Sequence, residues 1–252
     1  MPTMYLMAAL LALVPRVICQ QTAFKPSPGN FPAKGDDVYA GGIFSIPQSE
    51  LPKYGGTTIT TGTESPRTAG QATSGSGPYP ARMLTDSSLP NHVLFAPVAS
   101  PSVPMPFLTW ANGNCATNPS MYQNFLTEIA SYGYIIAADG STTGGSGFGG
   151  AQSKVSDSRD SIDWAMKGGA SKYGTIDLEK IATMGHSCGG LEAMSTAYHD
   201  ARVKRIMMFN IAIFQDDRRY LLQEIKVPVA WFIGGKGDMG YPTVRNLQLF
   251  TH

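Results

Sequence analysis

Short apolar runs alternate with amphipathic segments along the C-terminal two thirds of the chain. The apolar runs are predicted strands, at residues 92–97, 106–110, 134–138, 180–184, 203–209 and 227–233. Predicted helices separate them, at residues 120–132, 153–171, 190–199 and 217–225. In the first helix, Tyr122, Phe125, Ile129 and Tyr132 recur at helical spacing. This alternation predicts an α/β fold: a mostly parallel sheet with helices on both faces.

The N-terminal third of the chain has a different texture. Residues 4–14 are an unbroken apolar run, too short for a helix that crosses a bilayer, which needs about 20 residues. Val17 and Cys19 stand at the −3 and −1 positions of a cleavage site, so the run predicts a signal peptide over residues 1–19. The alternative is a buried N-terminal helix. We therefore expect a secreted, extracellular protein with no membrane association after cleavage. Residues 20–79 predict a Gly/Ser/Thr/Pro-rich, partly disordered segment, in which residues 38–44 form a short strand or pack on the domain. The α/β domain then covers residues 80–252.

Composition narrows the classes of function. The formal net charge is +1 and charged residues make up 15% of the chain, so no strong field favours nucleic acid as a partner. Three cysteines and four scattered histidines show no metal-ligand spacing. We expect no cofactor and no metal, and a monomer.

The turn Gly185-His186-Ser187-Cys188-Gly189 is the main candidate for chemistry. It follows a short apolar strand and precedes a helix, as a nucleophile elbow requires. Glycines two residues before and after Ser187 leave room for the tight turn. The sequence predicts Ser187 as a catalytic nucleophile; the alternative is a tight strand–helix turn with a solvated serine. Cys188 as nucleophile fails on register, because His186 stands two residues before it.

An oxyanion hole is predicted beside Ser187. The backbone N–H of Cys188 supplies one donor, because it follows the nucleophile. The second donor normally comes from the loop after the third strand, here residues 110–115, and Asn114 is our choice. The alternative is an ordinary turn at the end of a strand.

The triad acid should follow the nucleophile in chain order, after a later strand. Asp238 fits, because it follows the apolar run 227–233 across a Gly-rich turn. Its role would be to orient and charge-stabilise the catalytic imidazole. Asp216 and Asp217, after the preceding strand, are the alternatives.

Cys115 and Cys188 lie in the two loops predicted to form the oxyanion hole. Cleavage after Cys19 would leave these two cysteines in an exported protein, so we predict a disulfide between them. The alternative is two buried free thiols.

These motifs carry a family resemblance over residues 77–242. The matching pieces are Gly77-Pro78-Tyr79-Pro80, Asn112-Gly113-Asn114-Cys115, Gly185-His186-Ser187-Cys188-Gly189-Gly190 and the run from Phe232 to Asp238. They resemble fungal secreted α/β-hydrolases of the dienelactone hydrolase, chlorophyllase and polyester hydrolase (PET hydrolase-like) group. The resemblance implies an α/β-hydrolase fold and a serine hydrolase that cleaves carboxylic ester substrates through an acyl-enzyme.

The C-terminal part departs from that resemblance. Such proteins place the catalytic histidine after a further strand beyond the acid, whereas the sequence ends at His252, shortly after Asp238. We expect a truncated form without the last strand, the last helix and the general base, and with little activity. His186 is expected to point elsewhere, His199 lies at the far end of its helix and His92 is on an early strand; His252 serves only if the tail folds back. The alternative function is a non-catalytic hydrolase-like protein that at most binds a ligand.

Overall fold

The computed structural model describes residues 42–45, 71–147, 150–238, 240–241 and 243–244, without the side chains of residues 216, 217 and 220. Seven strands form one sheet: β1 Ala81–Thr85, β2 His92–Pro97, β3 Met105–Ala111, β4 Ile135–Asp139, β5 Ile176–His186, β6 Val203–Phe209 and β7 Val229–Phe232. The α-helices are α1 Gln123–Ala130, α2 Val155–Met166, α3 Cys188–Ala197 and α4 Asp216–Arg219. Short 3-10 helices span Gly42–Phe44, Gly113–Cys115, Ser120–Tyr122, Gly169–Tyr173 and Tyr220–Glu224.

The strand order is β1-β2-β4-β3-β5-β6-β7. Strand β2 runs antiparallel to β1 and β4, and the other neighbours are parallel. This mostly parallel sheet with helices confirms the predicted α/β-hydrolase fold. The expectation that a last strand and helix are missing stays a prediction. No helix among the described residues is long and apolar enough to cross a membrane.

Both faces of the sheet are buried under helices. Along β4, Ile135 and Ala137 join one apolar cluster, whereas Ile136 and Ala138 join the other. Because side chains alternate across a strand, a continuous apolar run supplies both faces at once. Helix α1 packs on the second cluster, and helices α2 and α3 pack on the first.

Two strands differ from the sequence prediction for a physical reason. Strand β1 was not predicted, because only Ala81 of its five residues is fully buried and no apolar alternation is visible. Strand β5 begins at Ile176, earlier than expected, where its first residues are half-exposed or exposed and Ile176 lies opposite Met105 of β3. Pairing with β3 extends this strand where its own sequence gives no strand signal.

Part of the N-terminal segment packs on the domain. Gly42–Phe44 is a buried 3-10 helix, and the Phe44 N–H donates to Ser195 Oγ of α3 at 3.3 Å. Further along, the Gly77 N–H donates to Ser131 Oγ at 2.9 Å. The predicted signal peptide and most of the predicted disordered segment lie outside the described residues.

The sheet order brings two loops together. Strand β3 lies between β4 and β5, and its last residue, Ala111, is in register with Gly185 of β5. The loops after β3 and β5 therefore leave the sheet side by side at its carboxyl edge. In open α/β sheets, ligand sites lie at this edge.

Candidate active site

Ser187 occupies a strained turn between β5 and α3. Its backbone has φ 53° and ψ −123°, a region that residues with a Cβ rarely adopt. The Ser187 N–H donates to the Phe209 carbonyl of β6 at 2.8 Å, and the Gly190 N–H donates to the Ser187 carbonyl at 2.8 Å. Strained backbone of this kind clusters at functional sites.

Glycines surround the turn because neighbouring backbone occupies the space of a side chain. A Cβ on Gly185 would overlap the Gly189 carbonyl, and a Cβ on Gly189 would overlap the Ala111 carbonyl. A Cβ on Gly190 would lie 2.5 Å from Ile211 Cγ2. These contacts let α3 begin directly against the end of β3.

Ser187 is half-buried and lines a cleft of about 420 Å³. Residues between Gly113 and Tyr122, the loop Gly144–Ser146, and His186 line it as well. Among the residues that the structure describes, no Asp, Glu, Lys or Arg lines the cleft.

The backbone N–H groups of the loop after β3 have different partners. The Gly113 N–H donates to Tyr122 Oη at 2.9 Å, the Cys115 N–H to the Asn112 carbonyl, and the Ala116 N–H to the Gly113 carbonyl. Within the described residues, the Asn114 N–H has no such acceptor, and Asn114 lines the cleft with φ 59°.

Cys188 is the first residue of α3. The first N–H groups of a helix have no intrahelical acceptor and are available to an anion. The two predicted oxyanion donors thus lie on the loop after β3 and at the N-terminus of α3, beside Ser187.

A disulfide links the loop after β3 to the first residue of α3. Cys115 and Cys188 are bonded, with their Cα atoms 5.2 Å apart. Both are buried, at 0% and 5% exposure. The predicted pairing is confirmed and the alternative of two free thiols is wrong, so Cys188 offers no thiol nucleophile.

Asn112 holds the loop from inside, a role that the sequence did not indicate. Its buried amide accepts from Trp110 Nε1 at 3.1 Å and donates to the carbonyls of Ala116 at 2.7 Å and Asp139 at 2.8 Å. These bonds tie the loop to the end of β4. The available signal was an asparagine directly after a buried strand.

Asp238 lies in the turn after β7. One carboxylate oxygen accepts from Asn210 Nδ2 at 2.6 Å and from the Gly234 N–H at 2.8 Å, and the other accepts from the Gly240 N–H at 2.8 Å. Asn210 directly follows β6, so Asp238 stands at the same edge of the sheet as Ser187. The alternatives Asp216 and Asp217 begin α4, and their side chains are outside the description.

The position of His186 differs from the expectation that its side chain points elsewhere. It does not point away from the site but lines the cleft with Ser187, where its Nδ1 lies 2.9 Å from Tyr122 Oη. Burial lowers the pKa of His186, and the nearby negative charge of Asp238 partly offsets this. His186 is therefore mainly neutral at pH 7.

The other described histidines lie elsewhere. His199 Nε2 lies 2.6 Å from Glu224 Oε2, and buried His92 lies 3.4 Å from Asp139. Among the described residues, no imidazole nitrogen is hydrogen-bonded to Ser187, and His252 is outside them. Within the same part of the chain, no three His, Cys, Asp or Glu side chains form a group that could hold a metal ion.

The comparison with known families agrees with this geometry. The sequence model described as Chlorophyllase matches residues 81–215, more than half of the chain. The chain belongs to the chlorophyllase family. That family is part of the α/β-hydrolase group, and the match covers Asn114, Cys115, Ser187 and Cys188 but stops before Asp238. No curated protein matches the chain.

Proposed function

We propose that this member of the chlorophyllase family hydrolyses carboxylic esters through an acyl-enzyme at Ser187. One observation carries the proposal: strained Ser187 faces a cleft shared with Asn114 and directly precedes the N-terminus of α3. A solvated serine in an ordinary turn does not need a strained backbone, whereas in a nucleophile the strained turn presents the Oγ to the substrate.

The proposed first step is attack by Ser187 Oγ on the ester carbonyl carbon. The carbonyl oxygen becomes an oxyanion, which the N–H groups of Cys188 and Asn114 stabilise. The general base passes the Ser187 proton to the departing alcohol oxygen, and then takes a proton from the water that releases the acid from the acyl-enzyme. The uncharged lining of the cleft favours a neutral acyl group over a charged one.

A general base must take the proton of Ser187. In a triad this base is an imidazole, and Asp238 is the acid that we propose to orient it. The described histidines, His92, His186 and His199, each lie within hydrogen-bonding distance of groups other than Ser187. This observation favours a second candidate function, a hydrolase-like protein that binds esters in the cleft with little or no turnover. The general base is the group on which the two functions differ.

A serine-directed fluorophosphonate and a short-chain nitrophenyl ester distinguish them. Labelling of Ser187, located by peptide mass, together with turnover would support the enzyme. Ser187→Ala should abolish both signals, and Ser102→Ala, exposed on the loop before β3, should change neither. Activity that survives Ser187→Ala would reject the nucleophile, and neither labelling nor turnover would support the second function.

We also propose that the protein is secreted. Support comes from the disulfide, since such bonds persist mainly in oxidising compartments outside the cytosol. Expression in a secreting host should yield protein in the culture medium whose N-terminal residue is Gln20. A product that stays inside the cell with Met1 intact would contradict secretion.

A further inference from the structure

The hydroxyl of Tyr122 joins two parts of the cleft that come from distant sequence. Tyr122 Oη lies 2.9 Å from the Gly113 nitrogen on the loop after β3, and 2.9 Å from His186 Nδ1 beside Ser187. Its ring packs on Trp110 with centroids 4.9 Å apart. The ring fixes the hydroxyl, and the hydroxyl contacts both cleft walls.

The Gly113 N–H fixes the direction of one hydrogen bond in this cluster, and the tautomer of His186 sets the direction of the other. The Gly113 N–H can only donate, so Tyr122 Oη accepts there. The hydroxyl proton then has one acceptor among the described residues, His186 Nδ1. A neutral imidazole that accepts at Nδ1 carries its proton on Nε2. In that arrangement His186 presents an N–H at Nε2, whereas the other tautomer would donate from Nδ1 to the second lone pair of Tyr122 Oη.

We propose that Tyr122 is a positioning residue, which fixes the oxyanion loop through Gly113 and holds His186 as the Nε2–H tautomer. The inference rests on the proposed function, because positioning of the loop matters only if Asn114 binds an oxyanion. Tyr122 acts through these two groups and takes no part in bond making.

The packing around Gly113 shows why the position of the loop is sensitive. A Cβ on Gly113 would lie 2.6 Å from His186 Nδ1 and 2.7 Å from Tyr122 Oη, so the three groups are in tight contact. The Gly113 N–H is fixed one residue before the Asn114 N–H. Loss of the hydrogen bond from the Gly113 N–H lets the peptide planes of the loop rotate, and this rotation moves the Asn114 N–H, the proposed oxyanion donor.

The test is Tyr122→Phe, which removes the hydroxyl and keeps the ring on Trp110. The control is Tyr132→Phe, an exposed tyrosine whose hydroxyl lies 3.3 Å from Ser76 Oγ, outside the cleft. Nitrogen NMR of the histidines should show unprotonated Nδ1 at His186 in the wild type and the control. In Tyr122→Phe we expect a mixture of tautomers and faster hydrogen exchange at the Gly113 amide. Labelling of Ser187 by fluorophosphonate should slow about tenfold, less than the loss of a whole oxyanion donor.

The outcomes separate this inference from the proposed function. A protonated Nδ1 of His186 in the wild type would by itself overturn the inference. So would a folded Tyr122→Phe protein whose histidine signals, Gly113 exchange and Ser187 labelling are all unchanged. If neither protein labels but the tautomer and Gly113 exchange change as expected, the positioning by Tyr122 holds and the ester hydrolase proposal fails.

Discussion

Removal of the Cys115–Cys188 disulfide should destabilise the domain strongly. The double variant Cys115→Ala/Cys188→Ala keeps small apolar side chains at two buried positions. The bond closes a separation of 73 residues, and loss of a closure of that length costs about 4 kcal/mol in the chain-entropy account. For a domain of this size, that corresponds to a fall in Tm of roughly 8–16 °C.

The assay is thermal unfolding followed by circular dichroism, at equal protein concentration. Wild-type protein reduced in denaturant and refolded with reductant should match the double variant, because both lack only the cross-link. The single variants should lose the same stability, since either one removes the bond. The Gly235→Ala variant is a control, because a Cβ there meets nothing within 4 Å.

The disulfide should also affect the chemistry. Cys188 supplies one proposed oxyanion donor and Cys115 follows the other, so loss of the bond loosens both relative to Ser187. We expect slower labelling of Ser187 in the folded double variant. A Tm within about 3 °C of the wild type, with equal labelling, would refute the reasoning, because neither unfolded-chain entropy nor preorganisation would then depend on the bond.

Two further predictions concern the framework. Gly189→Ala should lower the yield of folded protein sharply, because its Cβ overlaps the Ala111 carbonyl, whereas Gly235→Ala should express normally. Burial alone would raise the pKa of Asp86, but hydrogen bonds from Lys172, Tyr173 and Ser88 outweigh it and hold that pKa far below its usual range. The stability from Asp86 is thus present above its unfolded pKa of 3.8 and lost as the pH falls below it; urea midpoints of Asp86→Asn should show a weaker acid dependence.

The local parts of the site could be predicted from the sequence. The strand, the turn and the helix around Ser187 follow one another directly in the sequence, so a short-range pattern is enough to place them. The disulfide followed from two further assumptions, that the protein is exported with Cys19 removed and that the loops after β3 and β5 meet. The register of Ala111 with Gly185 shows why they do.

The contacts of His186 could not be predicted in the same way. Tyr122 precedes it by 64 residues, and the two meet only because β3 lies between β4 and β5. The helical spacing of Tyr122 indicated a face of a helix but not which group its hydroxyl would reach. Side-chain pairs of this kind depend on strand order, which apolar runs do not specify.

The Ser187 turn itself depends on residues outside the Gly-x-Ser-x-Gly motif. Its backbone conformation costs of the order of 1–3 kcal/mol, which surrounding contacts must offset. The Phe209 carbonyl accepts the Ser187 N–H at 2.8 Å and belongs to β6, a strand that follows the motif in the chain. The disulfide fixes the next residue, Cys188. The motif therefore provides the space for the turn but does not by itself fix its geometry. The turn also requires β6 in register with β5, and the loop after β3 bonded to α3.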